Sequence, residues 1–181
     1  VGPKVSHELI RSAAIAIALS MFAMLVYIWF RFEWQFSLAS IIALVHDVLI
    51  TLGIFSILSL EVNLSIVAAL LTIVGYSLND TVVIFDRIRE NLKKYSKIPI
   101  GEISDISTNE TLSRTVITSL TTLLALLSIY FFGGEILKGF SFAMIIGVII
   151  GTYSSIFVAT PILNYSKVSQ KSVLKGEDKN N

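Results

Sequence analysis

The sequence predicts an all-α, polytopic membrane protein built as a bundle of five transmembrane helices. Three observations carry that reading. Hydrophobic residues make up 54% of the 181 residues, and the mean hydropathy of +0.78 is far above that of a soluble domain. The apolar residues gather into long blocks, as membrane spans do. Each of five blocks reaches the ~20 residues a helix needs to cross ~30 Å of hydrocarbon. The strand alternation of an outer-membrane barrel is absent, so helices, which satisfy their own backbone groups in lipid, are the remaining solution.

The first span is expected at about 9–30, and residues 13–30 carry no charge. The second, about 36–60, is interrupted only by His46 and Asp47. The third, about 62–85, is interrupted by Asp80. The fourth covers about 115–134, and the fifth about 139–165 with Pro161 near its end. Together they make residues 1–166 one transmembrane helical domain. Between the third and fourth spans, residues 86–114 form a segment of mixed charge. The third helix is expected to continue to Tyr95, Pro99 and Gly101 to break it, and Asp105–Leu112 to offer caps for the next helix. Residues 167–181 are rich in Lys, Ser and Asn and read as a disordered tail.

Charge gives direction. Five crossings put the termini on opposite sides. One side holds Arg31, Arg87, Arg89, Lys93, Lys94, Lys97, Arg114, Lys167, Lys171, Lys175 and Lys179, which is 11 of the 14 Lys and Arg residues. The other holds Lys4, Arg11 and Lys138. By the positive-inside rule the rich side is cytoplasmic, so the N-terminus is outside and the C-terminus inside. Trp29, Trp34 and Tyr165 fall near span ends, where interfacial aromatics belong. The first block is too long, and followed by too many others, for a cleaved signal peptide.

Asp80 is the first functional candidate. It stands six residues before Asp86, roughly 9 Å inside the boundary at 1.5 Å per residue. A carboxylate at that depth costs roughly 2.5–3.5 kcal/mol to insert, and it can take up and release a proton. The plainer reading is a buried carboxylate that only pairs with another helix. Ser77 and Tyr76 precede Asp80 by three and four residues, on its face of the helix; Ser77, Asn79 and Thr81 are supporting polar residues. Gly75 leaves room for a close neighbour.

Arg114 is the second candidate. It stands at the mouth of the fourth span, ahead of Thr115, Thr118, Ser119 and Thr122. Thr111, Thr115, Thr118 and Thr122 share one helical face, which reads as a wetted polar stripe with Arg114 as partner or gate for Asp80. The plainer reading is a snorkelling Arg and hydroxyls bonded to their own backbone. Asp47 is the third and weaker candidate, either a second proton site or a hydrogen-bond acceptor for a neighbouring helix. Its neighbour His46 points about 100° away and is not expected to form a dyad with it. The fifth span carries Ala143, Gly147, Gly151, Ser155 and Ala159 at four-residue spacing, a stripe that lets helix backbones approach closely. Its partner could lie in this chain or another.

Other chemistries are set aside. There is no Cys, His7 is the only other His, and no clustered ligand set is present, so neither metal nor cofactor is expected. No nucleotide loop or nucleic-acid site is expected. No Ser-protease context surrounds His46.

The run Gly75-Tyr76-Ser77-Leu78-Asn79-Asp80-Thr81-Val82-Val83-Ile84-Phe85-Asp86-Arg87-Ile88-Arg89-Glu90-Asn91 resembles the fourth-helix motif of the SecF side of the SecD/SecF family of bacterial protein-export membrane proteins. Val1-Gly2-Pro3 with Glu8-Leu9, His46-Asp47 and Asn109-Glu110-Thr111-Leu112-Ser113-Arg114-Thr115 resemble three other segments of that family, in the same order. The resemblance implies that the five spans are family helices two to six. It also implies a first helix and periplasmic domain ahead of Val1, hence a shortened or split chain. It implies a multi-pass protein of the bacterial inner membrane, working with SecD, the SecYEG translocon, exported preproteins and the surrounding lipid. Asp80 would be the proton-pathway carboxylate and Arg114 its basic partner, coupling proton motive force to export without covalent catalysis. Two alternatives remain: a proton-coupled small-molecule transporter of the same superfamily, and a structural scaffold subunit.

Overall fold

The computed structural model describes residues 3–95, 97–166 and 168, with side chains from residue 7 onward. Apart from Val168, the tail expected at 167–181 lies outside the described residues. The elements are α1 (Pro3–Arg31), α2 (Trp34–Ile57), α3 (Leu64–Lys94), α4 (Ile100–Phe132), α5 (Glu135–Ser154), one π-helical turn (Ser155–Ala159) and α6 (Thr160–Tyr165). Five segments are long and apolar enough to cross a membrane: His7–Arg31, Trp34–Ile57, Leu64–Lys94, Ile100–Phe132 and Glu135–Tyr165. The fold class is the predicted one, and the chain is a multi-pass membrane protein. Large apolar side chains such as Phe22, Phe30, Phe132 and Ile136 point outward, as lipid-facing residues do.

The turns follow from local chemistry. α2 ends in a Schellman motif: Ser59 N donates to Ser56 O and Leu60 N to Phe55 O, with Ser59 at φ +52 in the place glycine usually takes. Asn63 caps α3, its side chain accepting from Ile66 N at 3.2 Å. Gly134, at φ +79, makes the α4–α5 turn in a region closed to most side chains. One expectation fails at α4. Pro99 does not leave a gap before a later cap; it is itself the residue that opens the helix. Proline tolerates a helix start because its missing N–H would be unpaired there anyway. Asp105–Leu112 is therefore helix interior, and Gly101 sits in the first turn.

α3 is the central helix, packed against α1, α2, α4 and α5. Its closest partner is α5, and the two run parallel in constant register. Gly139 lies against Ile66, Gly147 against Ile73, Gly151 against Ser77, and Ser155 Oγ meets Thr81 Oγ1 at 2.8 Å. A Cβ at Gly147 would collide with Ile73, and one at Gly151 would press Ser77 Cβ at 3.0 Å. The small-residue stripe thus packs on α3 of the same chain.

At the charged end the α1–α2 junction is pinned to the extension of α3. Arg31 pairs with Asp86 at 3.0 Å, in the open. Glu33 pairs with Arg89 at 3.3 Å with both side chains largely covered, 9% and 12% exposed, and Arg89 also lies over the Phe32 ring. Breaking a covered pair strands a charge, whereas an exposed pair contributes little. Glu33→Ala should lower the unfolding free energy by about 2–4 kcal/mol and Asp86→Ala by less than about 1 kcal/mol. Thermal unfolding in detergent micelles reads both, and equal effects would contradict this account.

Candidate functional site

Asp80 is buried among the helices, 4% exposed. Its Oδ2 finds no hydrogen-bond partner among the described residues. The register of α3 against α4 explains which groups it faces. Tyr76 Oη donates to Thr122 Oγ1 at 3.3 Å, Arg87 Nε to Glu110 Oε2 at 2.6 Å and Asn91 Nδ2 to Ser107 Oγ at 3.0 Å. In each antiparallel pair the two residue numbers total 197 or 198. Asp80 therefore lies at the level of Thr118, and Arg114 at the level of Ile84, about 6 Å nearer the charged end at 1.5 Å per residue. Arg114 is exposed and acts on Asp80 through its charge. The two side chains make no hydrogen bond or ion pair within 4.0 Å.

The other hydroxyls of the stripe divide. Thr111 and Thr115 are buried, while Thr118 and Thr122 are half-buried. Thr118 Oγ1 donates to Arg114 O and Thr122 Oγ1 to Thr118 O, both at 2.8 Å. Their donors are thus spent on their own helix, and the Thr122 oxygen accepts from Tyr76 Oη.

On the charged side a cleft of about 340 Å³ opens between α3 and α4, lined by Val83, Asp86, Arg87, Glu90, Glu110, Thr111 and Arg114. Arg87 bridges Glu110 and Glu90, at 2.6 Å each. That bridge holds its guanidinium even more firmly protonated than usual. The Arg87 hydrogen bond, and then that from Asn91, hold the Glu110 carboxyl below the usual range. The cleft floor stops one helical turn short of Asp80, at Val83.

Asp47 builds a separate centre. It is fully buried, and its Oδ2 accepts from Ser77 Oγ at 2.5 Å and Ser154 Oγ at 2.8 Å, tying α2 to α3 and α5. His46 Nδ1 lies 3.0 Å from the other oxygen. Two expectations change here. His46 and Asp47 do contact each other, because the long imidazole arm folds back although the two Cβ atoms diverge. Ser77 shares a face with Asp80, yet its hydroxyl serves Asp47. Thr81 likewise bonds Ser77 O and Ser155 Oγ.

Gly75 and Asn79 lie elsewhere. A Cβ at Gly75 would meet nothing within 4 Å, and Asn79 is exposed. Both line a groove of about 410 Å³ beside α1 with Met24, Tyr27, Leu78 and Val82. Gly75 is thus no contact within this bundle, unlike Gly147 and Gly151. Among the described residues no group of three or more His, Asp or Glu side chains is placed to hold a metal.

Sequence reasoning passed over Ser154 and Thr160, and it read Ser155 only as part of the packing stripe. The available signal was Pro161. It has no N–H to offer the Phe157 carbonyl, and its ring crowds that oxygen. The turn Ser155–Ala159, just ahead of it, opens into π geometry, and Thr160 Oγ1 donates to Ser155 O at 3.0 Å. Also unforeseen were Glu33 with Arg89, and Arg87 with Glu110 and Asn91.

Comparison with known proteins places this arrangement. Residues 1–169 match the family described as protein export membrane protein SecD/SecF, C-terminal. Protein translocase subunit SecF of Cereibacter sphaeroides is 55% identical over 170 residues, 94% of this chain and 52% of its own length. That of Rickettsia akari is 58% identical over 163 residues, covering 90% and 53%. The crystal structure of SecDF, a translocon-associated membrane protein from Thermus thermophilus, superposes with a TM-score of 0.87 at 48% identity, over 92% of this chain and 23% of that one. The chain spans about half the length of the curated relatives it matches. It belongs to the SecD/SecF family of protein-export membrane proteins, whose C-terminal region it matches.

Proposed function

We propose that this chain forms the proton-coupling transmembrane part of a SecF-type translocase subunit in the bacterial inner membrane. The observation that carries the reading is the buried Asp80 carboxylate with one oxygen unpartnered, one turn below a charged cleft that Arg114 lines. Asp47, by contrast, has both oxygens in contact with polar groups. The excess of Lys and Arg puts the cleft on the cytoplasmic side and the N-terminus on the periplasmic side.

In this scheme Asp80 alternates between a charged form, held by the field of Arg114, and a neutral form that needs no counter-charge. The change alters how tightly α3 and α4 pack. Moving one elementary charge through 100 mV supplies about 2.3 kcal/mol, so a few protons drive a conformational step. With SecD, and beside the SecYEG translocon, the step helps draw preproteins outward. No bond of the substrate is made or broken, and the chain's role is not catalytic. Support comes from the SecF name of its relatives and the SecDF match.

The test is preprotein translocation into vesicles that hold the whole subunit with SecD, with and without a proton gradient. Asp80→Asn should insert and assemble normally yet lose the gradient-dependent part of the rate, at least tenfold. Equal stimulation of both forms would make Asp80 structural and the subunit a scaffold.

A further inference from the structure

The carboxylate that the proton scheme leaves unused is also the best connected in the bundle. Asp47 joins α2 to Ser77 on α3 and to Ser154 on α5. Ser154 immediately precedes the π turn, and Ser155, its first residue, bonds Thr81 Oγ1 at 2.8 Å and approaches Ser77 O at 3.4 Å. Ser77 and Thr81 bracket Asp80. Hence the turn of α3 that bears Asp80 is tied on both sides to the one place where α5 departs from α-helical geometry.

That place is suited to movement. A π turn is a rare geometry that borders the α form, and such turns concentrate at functional bends. Three oxygens, Gly151 O, Ser77 O and Thr81 Oγ1, lie within bonding distance of the single Ser155 hydroxyl, which donates to one at a time. Its bond can pass between helices without leaving a buried polar group unpaired. Ser154 has the same choice between Asp47 Oδ2 and Gly151 O at 3.2 Å. Only the Asp47 end is fixed: its Oδ2 holds two donors, and His46 occupies the other oxygen.

We infer that Asp47 is a positioning residue, a latch that holds the Ser77–Thr81 turn of α3 to the π turn of α5 and so passes the movement of Asp80 into α5 and α6. The inference rests on the proposed role of Asp80. Facing Asp47 are Ser77 from α3, Ser154 from α5 and His46 from its own helix; facing Asp80 from α4 is the charge of Arg114.

These 181 residues contain no cysteine, so two introduced here carry the spin labels once any cysteines elsewhere in the complex are replaced. Leu49→Cys on α2 and Phe157→Cys on the π turn are both exposed sites. The native complex in liposomes is titrated while the label distance and the infrared band of protonated carboxyls are recorded. The Asp80 band is the one that Asp80→Asn removes. With Asp47 intact, band and distance should change together. In Asp47→Asn the band should remain and the distance change should shrink at least threefold. Ser154→Ala, which cuts only the α5 arm, should do the same if Asp47→Asn fails to fold. A distance change of undiminished size in either folded variant overturns the latch and leaves Asp80 in place. A titration without an Asp80 band overturns both readings.

Discussion

Gly147→Leu should abolish assembly of the five-helix bundle, while Gly75→Ala leaves it intact. A single Cβ at Gly147 already overlaps the Ile73 side chain, and three atoms of that side chain crowd the position. α3 is wedged between four other helices, so it cannot retreat from one without tightening against the rest. Overpacking a filled interior by even a methyl costs typically 1–3 kcal/mol, so Gly147→Ala should already lower the melting point measurably. A leucine adds three more carbons in the same place. At Gly75 a Cβ meets open groove, and alanine is the better helix former by about 1 kcal/mol. Size-exclusion and thermal melting of detergent-solubilised protein separate the two. A folded Gly147→Leu protein with an unchanged melting point would mean that α3 and α5 are not in this register.

The contrast between those two glycines marks where the sequence stops being legible. Block length alone placed five spans, because the membrane sets one length for every crossing helix. Four-residue spacing identified the Gly147–Gly151 stripe as a packing face, but nothing in that spacing says which helix fills it. Gly75 has the same residue type at a similar depth and faces a groove instead. Polar residues show the same limit. Spacing along α3 groups Ser77 with Asp80, since they lie three apart on one face. The partner that takes the Ser77 hydroxyl is Asp47, thirty residues away on another helix. Pairings across helices, like the second hydrogen bond that Asp47 accepts, from Ser154, depend on register, and register is a tertiary property. Pro99 misled for a local reason: proline both ends and begins helices, and here it begins one.

Arg114 offers the sharper test of how the site works, because geometry and charge predict different tolerance there. If Arg114 clamped Asp80 through its planar fork, lysine could not replace it. The structure has no such clamp: Arg114 lines the cleft a turn away and reaches Asp80 only through its field. At roughly 6–10 Å and an effective dielectric constant near 20, Coulomb's law gives about 2–3 kcal/mol between the two charges. A lysine ammonium supplies the same charge from nearly the same stem. Arg114→Lys should therefore keep most of the gradient-dependent translocation. Arg114→Gln keeps a polar group, on a shorter stem, but no charge. It leaves the charged form of Asp80 without its cation and should lose at least tenfold of the gradient-dependent rate. The double change Asp80→Asn with Arg114→Gln should be no worse than either alone, since each removes the same coupling. A dead lysine variant would show that a direct fork-to-carboxylate contact forms during the cycle, and the resting separation of the two side chains would then be one half of a gate that closes when Asp80 is charged.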